Sequence, residues 1–243
     1  MVKVKYNGRL GNNLFQYCFG RIIAEENGFQ LEAKQIKGFP NINYIKNGKN
    51  LEIKKRITGH KVNFDRLKNI NHGILLDGHF EIYEYYKSYK EKIKNWLWTP
   101  DPSSKYKIGN NDCVIHLRLD DVLKKNIGIK YKEIEKMFKN VKFENLYVCS
   151  DQLSNSNCKK IIEKYNAIPI NENAIETYKL IKKFNKIVLS PSTFSWWAAW
   201  LSDAKEILIP WKKRGMRWSD DWTKRKGLDL RVNEERYKII NLD

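Results

Sequence analysis

The sequence is short of acidic residues, has few cysteines and contains no long apolar run. With 28 Asp plus Glu set against 46 Lys plus Arg, the formal net charge is +18. Such an imbalance implies an anionic partner: nucleic acid, a phosphate-bearing substrate or an acidic membrane surface. The four cysteines, Cys18, Cys113, Cys149 and Cys158, lack metal-ligand spacing, and three stand in apolar contexts where cysteine acts as a small hydrophobe. They read as reduced thiols, which places the protein in the cytoplasm. No window reaches the roughly 18 apolar residues that a membrane span needs, and MVKVKYNGRLGNN has no apolar core behind its basic residues. The chain therefore reads as soluble. It carries no internal repeat and no low-complexity tract.

What is present is enough for a core. At 243 residues, with 42% hydrophobic and 13% aromatic side chains, the chain has the length of one large α/β domain or two small ones. The alternating run Lys3 to Tyr6 reads as a strand. Gly8 and Gly11 then mark a turn, Asn12 stands where a helix cap is wanted, and Gly28 is placed to end that helix. The region Gly38 to Ile70 is polar and shows no clear period. ILLDGHF (Ile74 to Phe80) reads as a strand and Glu84 to Leu97 as a helix. Trp98 to Asp112, with two prolines, reads as a linker. The reading is a first domain over 1–105 and a second over 106–243.

The second half is more regular. Strands are expected at Cys113 to Leu119, Asn145 to Ser150, Lys186 to Ser190 and Glu206 to Ile209. Helices are expected at Tyr131 to Phe138, Asn155 to Tyr165, Ala174 to Phe184 and Ser195 to Leu201. That alternation predicts parallel sheets covered on both faces. Three of these strands finish in polar residues. CVIHLRLDD ends in His116, Arg118, Asp120 and Asp121, LYVCSDQ in Ser150 and Asp151, and KIVLSPSTFSWW in Ser190, Ser192, Thr193 and Ser195 at a helix start. Ligands of open α/β sheets bind outside the carboxyl ends of the strands. A helix N-terminus with hydroxyls, next to an arginine, suits a pyrophosphate.

Taken in order, GRLGNNLFQYCFGRIIA, DGHFEIYEYY, VIHLRLDD, YVCSDQ and STFSWWAAWL followed by EILIPWKK resemble the motifs of the α-1,2-fucosyltransferases, glycosyltransferase family 11. The resemblance runs from about residue 6 to 222. It implies a GT-B-like α/β architecture of two Rossmann-like halves. It also implies inverting, metal-independent transfer of L-fucose from GDP-β-L-fucose to a glycan acceptor, with an α-1,2 linkage to galactose. No cofactor or nucleic acid is expected; peripheral contact with an anionic membrane is compatible with the charge. By the same resemblance Arg118 holds the donor β-phosphate, Asp151 meets guanine, and Ser150, Ser192, Thr193, Phe194 and Ser195 line the donor with His116. Gly11, Asn12 and Asn13 belong to the stretch Gly8 to Asn13 that resembles the family's N-terminal glycine loop, which closes over the donor from the acceptor-side domain. Leu119 replaces the family's second arginine and Gln152 a second aspartate.

Bland readings compete with several of these. Arg118 with Asp120 or Asp121 is also what a structural ion pair looks like, and His116 suits a ligand contact or a core histidine equally. Asp120 and Asp121 imitate a metal pair without the further ligands one needs. Trp196, Trp197 and Trp200 have the spacing of a core face, and the basic segment Trp211 to Gly227 that of a solvated surface. For the base that deprotonates the acceptor hydroxyl, Asp121, Asp120, Glu81 and His116 all stand as candidates. Two other functions remain: a related GDP-sugar transferase with another linkage or sugar, and a basic binding protein on a degraded transferase scaffold.

Overall fold

The computed structural model describes residues 1–103, 105–120, 122, 125–139 and 141–243. The chain forms two compact units, Met1–Thr99 with Lys224–Leu230, and Pro100–Thr223 with Arg231–Asp243. The division thus falls at 99/100 rather than 105/106, and a short late segment returns to the first unit. Its Asp229 forms an isolated parallel bridge with Ile82. No return of this kind shows in sequence, because a bridge of one residue pair has no period.

The first unit carries strands β1 (Val2–Val4), β2 (Leu31–Glu32), β3 (Ile53–Gly59) and β4 (Gly73–Gly78), in the parallel order β2-β1-β4-β3. Helix α1 (Leu10–Asn27) follows β1 and buries Leu14, Phe15, Cys18, Phe19, Ile22 and Ile23. Its start lies at Arg9, so Asn12 is inside the first turn and is not the cap. Its end is the expected one: Gly28 takes φ 62°, and the Gly28 and Phe29 N–H groups donate to the Glu25 and Ala24 carbonyls at 3.2 and 2.9 Å. Such left-handed closure favours glycine.

The region that gave no period holds β3. Lys54, Lys55 and Arg56 of this edge strand are exposed and only Ile57 is buried, so there was no alternation to read. The expected helix over 84–97 is broken: two 3-10 turns, Tyr83–Tyr85 and Lys87–Tyr89, precede α2 (Lys90–Trp96).

Gly20 lets α1 lie against the sheet. A Cβ there would collide with Val4 Cγ2 and sit 3.4 Å from both Leu31 Cδ1 and Leu76 Cδ1. Gly20→Ala is therefore expected to lower unfolding free energy by about 1–3 kcal/mol, the cost of overpacking a core. Urea denaturation measures it, and an unchanged midpoint would refute the close packing.

The second unit carries β5 (Cys113–Leu117), β6 (Leu146–Ser150), β7 (Ile168–Pro169), β8 (Lys186–Val188), β9 (Glu206–Trp211) and β10 (Tyr237–Asn241). All pairs are parallel, in the order β10-β9-β8-β5-β6-β7. Around them stand α3 (Tyr131–Phe138), α4 (Ser156–Tyr165), α5 (Ala174–Ile181), α6 (Thr193–Trp200) and α7 (Asp220–Lys226). The side chains of Asn155 and Asn173 cap α4 and α5 by accepting from backbone N–H groups. Each unit is thus a parallel sheet with helices, the α/β class of a GT-B-like pair of halves.

Trp196, Trp197 and Trp200 are fully buried and pack against one another. Trp211 and Trp218 of the basic segment are buried as well, and Trp222 is half-buried. All four cysteines are free and buried, and burial pushes each thiol up, away from reactive thiolate. Among the described residues no helix is long and apolar enough to cross a membrane.

Candidate active site

Strand order decides where the second unit can bind. From β5 the chain proceeds to β6 and β7 on one side, then returns to β8 on the other. The carboxyl ends of β5 and β8 therefore flank a topological switch point, where the loops part and leave a crevice. Arg118 follows β5 at this point, and Ser190 to Ser195 follow β8.

The two loops are tied together. The Arg118 N–H donates to Ser190 Oγ at 3.0 Å, and the Ser192 N–H to the Ser190 carbonyl at 2.6 Å. Ser192 takes extended backbone angles before α6, whose ladder begins with Trp196 N–H donating to the Ser192 carbonyl at 3.0 Å. The earlier N–H groups of the turn, on Thr193, Phe194 and Ser195, point beyond the helix end, as at any helix start. Ser192 Oγ is buried and has no hydrogen-bond partner among the described residues, whereas Ser195 Oγ donates to the Ser192 carbonyl at 3.3 Å.

Asp151, from the neighbouring β6, braces this arrangement. Its Oδ1 accepts from the Leu119 and Asp120 N–H groups at 2.8 and 3.4 Å, and its Oδ2 lies 3.5 Å from Arg118 Nε. The carboxylate expected to meet guanine is thus engaged with the β5 loop, and the Arg118–Asp151 pair fixes where the guanidinium stands. Ser150 Oγ accepts from the Gln152 N–H at 3.0 Å, and Gln152 Nε2 donates to Asp120 Oδ1 at 3.4 Å.

His116 is buried on β5 with its ring 5.1 Å from that of Phe194. Burial, and secondarily the Arg118 charge, lowers its pKa from 6.5 to about 4 against the opposing pull of Asp151. The imidazole is therefore neutral at physiological pH, and its Nδ1 has no hydrogen-bond partner among the described residues. Leu119, standing where the resemblance puts a second arginine, is buried and adds no charge. Asp121 lies outside the described residues. Among those described, no group of three His, Cys, Asp or Glu stands ready for a metal ion.

His116, Arg118, Asp120, Ser150, Asp151, Ser192, Thr193, Phe194 and Ser195 thus come together at the strand ends of one unit. Gly11, Asn12 and Asn13 belong to the other, at the switch point between β1 and β4. There Asn12 Nδ2 donates to the fully buried Glu81 at 2.6 Å and stands 3.4 Å from His79 Nδ1. Asn13 Oδ1 is buried without a hydrogen-bond partner among the described residues, and Gly11 is buried in α1. Sequence reasoning passed over His60 and His79 in this crevice. Their signal is positional, each following the end of a parallel strand, and it stays hidden until β3 is recognised.

Residues 125–224 match the model of Glycosyl transferase family 11. The matched stretch holds the SDQ and STFSWW segments and begins seven residues after Arg118. No curated protein matches the chain. The family matched over this stretch is the one that the ordered motifs resemble.

Proposed function

We propose that the protein transfers L-fucose from GDP-β-L-fucose to a glycan hydroxyl, with inversion, without a metal ion, and with galactose C2–OH as the acceptor group. One observation carries the reading: Arg118 and the N-terminus of α6 stand at the same switch point, joined by the Arg118 N–H to Ser190 Oγ bond of 3.0 Å. Neither group alone is specific. Together they supply a guanidinium fork and oriented N–H dipoles for one pyrophosphate.

In this reading the bond from fucose C1 to the phosphate oxygen breaks with its electron pair going to GDP. The negative charge that grows on the β-phosphate is met by Arg118 and the α6 N–H groups, which are already in place and need no reorganisation. The buried Ser192 hydroxyl supplies a further donor. Asp151 positions Arg118 rather than the base, and neutral His116 packs beside Phe194 without adding a competing charge.

Thermal unfolding in the presence of EDTA tests the donor site, because a ligand that binds only the folded state raises its stability. Stabilisation by GDP and GDP-fucose, and not by UDP-galactose, is the expected result. Equal indifference to all three would reject the donor assignment. A general polyanion response with a steep salt slope would instead favour a basic binding protein.

A further inference from the structure

The first unit holds a surface cavity of about 380 Å³, walled by Arg21, Pro40, Asn41, Asn43, Asn95 and Trp96. Its volume falls in the range of small-molecule sites, roughly 300–1,000 Å³. Three segments supply the walls. Arg21 stands on α1, Asn95 and Trp96 are the last residues of α2, and Pro40 to Asn43 lie in the loop between β2 and β3. Arg21 comes about three turns after the start of α1, and that start follows the carboxyl end of β1. The cavity therefore sits away from the β1/β4 switch point, and none of the residues assigned to the transferase site lines it.

The walls are fixed before any ligand arrives. Phe39 and Ile42 are fully buried, which leaves Asn41 and Asn43 on the exposed side of the loop. Asn41 Nδ2 donates to the Asn95 carbonyl at 2.7 Å, tying the loop to α2. Arg21 Nη1 donates to the buried Tyr17 hydroxyl at 2.8 Å and to the Asn41 carbonyl at 3.5 Å. The same guanidinium lies over the Trp96 ring, 4.5 Å from its centroid. Side chains held in this way have little freedom left to lose on binding.

The polar groups left over are of one kind. Arg21 Nη2, Asn41 Oδ1 and the side-chain amides of Asn43 and Asn95 make no hydrogen bond to the protein among the described residues. An amide donates and accepts at once, as a sugar hydroxyl does, so three amides around one space match a ring that bears several hydroxyls. An anion is matched poorly: Arg21 is the one charged residue of the six, and its Nε already donates to Glu25 Oε1 at 3.1 Å. An apolar ligand is matched no better, because the apolar walls are Pro40 and Trp96, and Trp96 is 6% exposed.

We propose that this cavity is a saccharide-binding site for a neutral hexose unit, distinct from the donor crevice of the second unit. The proposal does not rest on the transferase reading. A glycan held here by one of its sugars keeps its other sugars at raised local concentration around the protein.

NMR titration of the isotope-labelled full chain with lactose, cellobiose or maltose tests it. Each sugar is taken to about 50 mM, because a few net hydrogen bonds give millimolar affinity. At least one of the three is expected to shift the side-chain amide signals of Asn43 and Asn95 and the Arg21 Nε–H signal, and to do so saturably. Combining Asn43→Ala with Asn95→Ala should weaken this binding by about tenfold or more, since two of the unmet amides are removed. Both side chains are exposed and bond nothing in the protein, so the double variant should keep the wild-type thermal midpoint. The absence of a saturable shift with all three sugars would overturn the proposal. Sugar binding that survives undiminished in the double variant overturns it too, as does inorganic phosphate moving these signals where the sugars do not.

Discussion

Replacing Arg118 by alanine is expected to lower kcat for fucosyl transfer by about 100-fold, the lower range for removing one preorganised donor from a developing oxyanion. The reason is its placement. Arg118 is the strand-end arginine at the β5/β8 switch point, its backbone N–H held by Ser190 and its Nε beside Asp151. A guanidinium so held has little conformational freedom left to lose when charge appears on the leaving phosphate. Arg118→Lys keeps the charge but not the fork, and should recover only part of the rate. Asp151→Asn releases the brace while retaining an oxygen for the Leu119 N–H, so its kcat should fall less than that of Arg118→Ala. Turnover of Arg118→Ala within twofold of wild type, with the fold intact, would remove Arg118 from the chemistry.

The second large effect concerns stability against pH. His116 titrates at about 4 in the folded protein, against 6.5 ordinarily, chiefly because burial disfavours its charged form. The unfolded chain therefore binds the proton more readily than the folded one between these values, and stability must rise with pH across that interval. The contribution is complete above pH 6.5 and is lost progressively as pH falls to about 4. Its full size is about 3 kcal/mol, at roughly 1.4 kcal/mol per pH unit of displacement. Urea denaturation of wild type and His116→Asn over this interval isolates it, since asparagine does not titrate. Parallel pH profiles for the two proteins would show that His116 is not buried in its neutral form.

Much of the second unit was legible in the sequence. Tyr131–Phe138 was read to the residue, Asn155 and Asn173 mark helix starts that their side chains do cap, and β5, β6, β8 and β9 announce themselves as apolar runs. The polar strand ends were legible too, because a parallel strand buried on both faces leaves few reasons for His, Arg and Asp at its end. The first unit was less so. β3 offers a single buried side chain and β2 has two residues; in the second unit, β7 likewise has two and β10 alternates weakly. Such strands exist because a neighbour's hydrogen bonds complete them, and sequence period carries no record of that.

The amino-acid sequence by itself determined the chemistry available: a basic chain, inert thiols, an arginine closing a buried strand and a serine-rich helix start. Its ordered motifs also pointed to the family. Only the tertiary structure decided who meets whom. Strand order, which no local pattern encodes, set Arg118 beside Ser190. It turned the Asp151 carboxylate onto the β5 loop, and it drew His60 from an unpatterned region to within 3.8 Å of Glu81. The physical reason is that helix and strand periods report burial along one segment, while a site is made where segments distant in sequence end at the same edge.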